Sequence, residues 1–146
     1  MAAGNWTFVN SGKLDIVDGT VDWNSDVMYM VLVLAAHTPS VSSDAAYSDI
    51  SGDECGDGDY AAQDVGSATL AESGGTVTFD CANVTYGGAV TVTAKYAYIL
   101  KGAEASPQAA DEIVMYCDLN SGGGSVSSTA EDFSINMNAS GLATLS

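Results

Sequence analysis

Arginine is absent from this chain of 146 residues. Only three lysines (Lys13, Lys95 and Lys101) and one histidine (His37) stand against nineteen carboxylates, giving a formal net charge of -16. Nucleic-acid binding draws its affinity from lysine and arginine neutralising phosphates, so a chain this acidic excludes that class of partner. Anionic membrane surfaces are excluded for the same electrostatic reason. No apolar run approaches the roughly eighteen residues of a membrane span. The most apolar stretch, Val27 to Ala36, reads as a core strand. The start, Met1-Ala2-Ala3-Gly4-Asn5-Trp6, lacks a basic, apolar leader, so the expectation is synthesis in a cytoplasm and use without processing.

Cysteine is scarce too. Cys55, Cys81 and Cys117 are odd in number, and their spacing fits no CxxC or zinc pattern, so no disulfide scaffold is expected. Cys81 and Cys117 lie in strand-like contexts where a thiol behaves as a small buried hydrophobe.

What is abundant is small or β-branched. Sixteen glycines, with many Ser, Thr, Val and Ala and few Leu, Lys or Glu, argue against a helical protein. The length suits one domain, residues 1–146, with a radius of gyration of about 15 Å. A first strand is predicted over Asn5 to Val9. Ser11 then reads as the N-cap of a helical turn or two over Lys13, Leu14, Ile16 and Val17, ended by Gly19. The strand Asp26 to Ala36 places Val27, Tyr29, Val31 and Val33 on one face and Met28, Met30, Leu32 and Leu34 on the other. Apolar residues on both faces put it between two covered surfaces.

Residues 38–75 form a long acidic loop, with seven carboxylates between Asp44 and Asp64. A helical turn near Tyr47–Ile50 and the side chains Tyr47, Ile50 and Tyr60 would anchor it. Loops of this length are commonly functional or held by a partner. Strands resume at Thr76–Asp80, Ala82–Tyr86, Val90–Leu100, Ile113–Cys117, Phe133–Met137 and Leu142–Leu145. The sum is a mainly β chain: an antiparallel β-sandwich of six to eight strands with one or two short helical turns.

Reaction chemistry finds little footing. His37 ends the apolar strand, no GxSxG elbow accompanies it, and a structural or exposed role is expected. Gly122 to Gly124 lack the lysine and following helix of a phosphate loop. The tract Asp49 to Asp59 could offer oxygens to calcium through Asp53, Asp57 and Asp59, but its spacing fails the EF-hand. A solvated loop is expected, with no cofactor and no enzyme activity.

The order of residues resembles a family of small tailed-bacteriophage virion proteins. The likeness runs through Lys13-Leu14, Gly19, Val21-Asp22-Trp23, Asp26-Val27 and Val31-Leu32-Val33. It continues with Tyr47-Ser48-Asp49-Ile50, Asp59-Tyr60, Thr76 to Asp80, Val84-Thr85-Tyr86 and Thr91 to Ala97. It ends with Ile113, Tyr116 to Leu119, Phe133-Ser134-Ile135 and Ser140-Gly141. Tyr86 stands where the family commonly has Trp, and Lys95 where it has Arg. The resemblance implies a non-enzymatic particle component.

Acidity keeps free copies soluble and off packaged DNA, which favours the outer capsid surface. The leading expectation is a decoration (cement) protein, a homotrimer bound to the major capsid protein. The interface candidates are Trp6, Phe8, Leu14, Tyr47, Ile50 and Tyr60. Two alternatives stand beside it: a tail or neck component, including an adsorption accessory, and a carbohydrate-binding β-sandwich. The last would need exposed aromatics, whereas Trp6, Trp23 and the tyrosines read better as core.

Overall fold

The structure is a computed structural model that describes residues 4–146. The strands are, in chain order, β1 (Trp6–Phe8), β2 (Met28–Val33), β3 (Gln63–Asp64), β4 (Thr69–Ser73), β5 (Thr76–Asp80) and β6 (Val84–Tyr86). Then come β7 (Val92–Ala94), β8 (Tyr96–Lys101), β9 (Ile113–Asp118), β10 (Val126–Ser128), β11 (Phe133–Ile135) and β12 (Ala143–Leu145). One helix, α1 (Asn10–Asp18), and two 3₁₀ turns, Tyr47–Asp49 and Ser51–Asp53, complete the regular structure. The protein is mainly β, with antiparallel pairing throughout.

A five-stranded sheet in the order β1-β9-β8-β2-β3 organises the chain. All six residues of β2 are buried, and they divide between two cores as their alternation requires. Met28, Met30 and Leu32 face a larger core that they share with Trp6, Phe8, Trp23, Phe79, Tyr86 and Ile135. Tyr29, Val31 and Val33 face a second core with Val9, Ile50, Tyr98, Leu100 and Ile113. Each large side chain buried this way contributes roughly 1.5–3 kcal/mol relative to exposure. The three small sheets, β10-β7, β11-β6 and β12-β5-β4, supply residues to the first core, which gives sandwich-like packing. The acidic loop covers part of the second core through Ile50 and Tyr47.

The strand count among the described residues is twelve, because runs that look continuous are interrupted. Val90–Leu100 breaks at Lys95: β7 pairs with β10, whereas β8 pairs with β2 and β9. Lys95 itself bonds through its backbone to Val33 and Leu119. A strand that changes sheets in this way makes the corner of the sandwich. The apolar run Asp26–Ala36 contracts to β2, and Val27, expected beside Tyr29, is 57% exposed.

The loop over residues 38–75 is not wholly irregular. It holds both 3₁₀ turns, β3 and β4, and β4 makes a hairpin with β5 across Gly74 and Gly75. Both glycines have positive φ (61° and 86°), which the two-residue turn of a twisted hairpin requires.

Helix α1 starts before the predicted cap. Val9 is its N-cap, and Ser11 lies inside the helix with its Oγ buried and without a hydrogen-bond partner. Tertiary pairing sets this start, since Val9 N–H bonds Val114 O at 3.2 Å and Val9 O accepts Lys13 N–H at 3.1 Å. The end is as expected, at Gly19 in the left-handed region (φ 83°).

Candidate functional site

With so few cations, the chain satisfies its inward carboxylates with tyrosine hydroxyls and backbone N–H groups. Glu54 accepts from both Tyr47 and Tyr60, the latter at 2.9 Å, and the Tyr60 oxygen accepts Leu32 N–H at 2.8 Å. Asp111 accepts the Tyr29 hydroxyl at 2.9 Å and Asp44 accepts that of Tyr98 at 2.8 Å. Burial, followed by the carboxylate hydrogen bond, raises the Tyr47 phenol to about 12 and pushes Tyr29 and Tyr98 well above their ordinary value. Tyr60 is raised as well, by burial first and then by the nearby Tyr86 and Glu54. Asp49 accepts the N–H groups of Ala45 and Ala46, both at 2.9 Å, and these bonds hold its carboxyl below the usual range. The loop is thus tied to β2 and β8 by neutral donors, which hold it without adding positive charge.

His37 belongs to the same network. Its Nε2 lies 3.0 Å from Asp44 and its Nδ1 3.5 Å from Asp53, while its ring sits edge-on to Tyr98. Asp44, 4% exposed, also accepts Ser40 N–H at 3.0 Å. The histidine therefore works as a clasp between the end of β2 and the acidic loop. Sequence reasoning did not single out Asp44 or Glu54. The tyrosine that binds Asp44 lies 54 residues away, and the two that bind Glu54, seven residues before it and six after, match no spacing that marks a hydrogen bond.

Of the candidate cation ligands, Asp53 is half-buried beside His37, and Asp57 and Asp59 are exposed. The structure does not bring them together, since no cluster of three His, Cys, Asp or Glu side chains suited to a metal occurs among the described residues. The interface candidates divide. Trp6, Phe8 and Ile50 are buried in the chain's own cores, and Tyr47 and Tyr60 are half-buried with their hydroxyls on Glu54. Those five serve packing in this chain because their apolar surfaces close its two cores. Leu14, 61% exposed on α1, remains available at the surface, and Val17 beside it is 78% exposed.

The lysines are distributed unevenly. Lys95 Nζ donates to the carbonyls of Asn120 and Gly123 and pairs with Asp118 at 2.8 Å. Lys101 donates to Thr20 O and pairs with Asp26 at 3.1 Å. Lys13 alone forms no ion pair among the described residues. Two of the three lysines are thus engaged in ion pairs, and carboxylates outnumber lysines nineteen to three in the chain.

Among the described residues, two hollows stand out on the surface. One, polar and about 500 Å³, lies beside β10 and β11 and is lined by Ser127, Ser128, Thr129, Glu131 and Asp132, among others. The other, about 240 Å³, lies between α1 and β4 and is mostly apolar in its lining residues.

No protein-family model matches the chain, and no curated protein or solved structure shows significant similarity to it.

Proposed function

We propose that the protein is a non-enzymatic virion structural protein of a tailed phage, a decoration protein on the outer head surface. The observation that carries this reading is a net charge of -16 on a β framework with two buried cores, with Lys95 and Lys101 already paired to Asp118 and Asp26, so that carboxylates dominate the charge of its outer face. Such a face repels packaged DNA and keeps free copies apart until they meet a capsid floor. The order of strand and turn residues, similar to that of small phage virion proteins, points the same way. Bridging adjacent capsomers would add buried area to the shell, and a homotrimer at three-fold positions suits that geometry.

The experiment is deletion of the gene from a phage that carries it. Particles should assemble without the protein, contain hundreds of copies when it is present, and lose DNA at lower temperature when it is missing. A few tens of copies would assign it to the tail or neck instead, and unchanged heat stability would overturn the cement role. The carbohydrate-binding alternative finds no support from Trp6 and Trp23, which are 6% and 1% exposed and offer no open stacking platform.

A further inference from the structure

The groove between α1 and β4 is lined by Ile16, Gly19, Val21, Asp22, Trp23 and Leu70. Its floor is Trp23, which packs edge-on against Phe79 with ring centres 5.6 Å apart and donates its indole N–H to Asp80 O at 3.1 Å. Its rim is β4, all five residues of which are exposed and which ends its sheet. Ser73 and Thr76 flank the two-residue turn and so form a hydrogen-bonded pair. The alternation then turns the backbone N–H and C=O of Leu70 and Glu72 away from β5. No backbone group outside the hairpin bonds residues 69–73 among the described residues. An exposed, unpaired edge is a template for another strand. Leu70 lies opposite Phe79, which sets its 37% exposed side chain on the groove side.

Charge decides what kind of strand fits. The segment that walls the groove carries Asp18, Asp22 and Asp26, and among the described residues only Lys101 pairs with any of them, on Asp26. Asp15 on α1 stands close enough to Asp18 and Glu112 for their charges to oppose its ionisation, after burial. A second β4 edge would bring its own Glu72 and neighbouring Asp22 against these carboxylates, so pairing of two β4 edges is opposed.

We propose that the groove and the free edge of β4 together dock an extended segment of a partner that turns apolar and basic side chains, two residues apart, toward the groove. The segment adds a strand to β4, bonds Leu70 and Glu72 through its backbone, and seats an apolar side chain against Leu70 above Trp23. Its lysine or arginine side chains lie beside Asp18 and Asp22. This site deepens the adhesive role proposed above and rests on it for the existence of a partner.

The test is NMR and amide hydrogen exchange on the full chain titrated with three seven-residue peptides that have serine at the odd positions and, at positions 2, 4 and 6, Leu, Lys and Leu (the Lys–Leu peptide), Ser, Lys and Ser (the Lys–Ser peptide), or Leu, Glu and Leu (the Glu–Leu peptide). The Lys–Leu peptide should shift the amides of residues 69–73 and the Trp23 indole. It should slow exchange at Leu70 and Glu72 while leaving Ala71, already bonded to β5, unaltered. Leu70→Lys should weaken that binding at least tenfold, whereas Val41→Lys, at an exposed valine outside the groove lining, should not. Equal binding of the Lys–Ser peptide reduces the effect to charge attraction and overturns the site, as does equal binding of the Glu–Leu peptide. Slowed exchange at the same amides in concentrated protein alone would make a second copy the occupant and overturn the basic partner. If the peptides fail to bind while the protein is found on particles, the docking site falls and the function stands. Binding at β4 by a protein absent from particles supports the site and removes the function.

Discussion

The Tyr98 hydroxyl donates a 2.8 Å hydrogen bond to Asp44, a carboxylate only 4% exposed and 54 residues earlier in the chain. No lysine reaches Asp44. Its stabilisation comes from this phenol, from Ser40 N–H and from His37. A hydrogen bond to a buried charged group contributes about 1.5–3 kcal/mol. Tyr98→Phe should therefore destabilise the protein by about that amount, as a lowered urea midpoint with an unchanged slope. A destabilisation below about 0.5 kcal/mol would mean that water or His37 takes over the role.

The tyrosines should also set the alkaline limit of the fold. Burial raises Tyr29, Tyr47, Tyr60, Tyr86, Tyr98 and Tyr116 above their ordinary value. A group whose folded pKa lies above its unfolded one contributes stability that is present below the unfolded value, here about 10, and is lost as pH rises beyond it. Phenolate absorbance should accordingly appear in a cooperative step that coincides with loss of the near-ultraviolet circular dichroism. A gradual titration of most tyrosines near pH 10 with the fold intact would contradict their burial.

The two-sided burial of β2 was legible in the sequence because apolar residues occupy both phases of a period-two run, and Met28, Met30 and Leu32 do separate from Tyr29, Val31 and Val33. The break at Lys95 was not legible, since the alternation continues straight through it while the hydrogen-bond partners change. Strand β4 was hidden for a different reason: with every residue exposed, it shows no apolar period. Trp6, Phe8 and Ile50 stand among the interface candidates, although the sequence already favours the core for Trp6 and an anchoring role for Ile50, and their burial assigns all three to the chain's own cores. The pairing of Asp111 with Tyr29 and of Asp44 with Tyr98 escapes any local reading, because the partners are 82 and 54 residues apart.

Gly12 should tolerate no side chain. It lies where α1 crosses β9 at an irregularity in the pairing with β8, and an added Cβ would come within 2.4 Å of Val114 O and 2.8 Å of Val114 Cα. Those obstacles are backbone atoms, so the helix itself would have to lift. Overpacking of this kind costs about 1–3 kcal/mol or more, and Gly12→Ala should lower the thermal midpoint by several degrees. Gly52→Ala, where an added Cβ would meet nothing within 4 Å, should leave stability within about 0.5 kcal/mol of the parent.

Lys95 should matter more to structure than to surface charge. Its ammonium group binds the carbonyls of Asn120 and Gly123 and the Asp118 carboxylate, at the residue where the chain passes from one sheet to another. An ammonium has three donors, and all three have acceptors here. Lys95→Met keeps the length of the stem and removes every one of these bonds, leaving Asn120 and Gly123 dependent on water. The cost should be about 1–3 kcal/mol, with faster amide exchange concentrated over residues 119–124 and at the end of β9. Lys13→Met removes the same charge from a site with no ion pair among the described residues, and should leave both stability and exchange close to those of the parent. Equal effects from the two substitutions would show that the loss of one cation from an acidic chain, rather than the bonds at the sheet corner, governs the outcome.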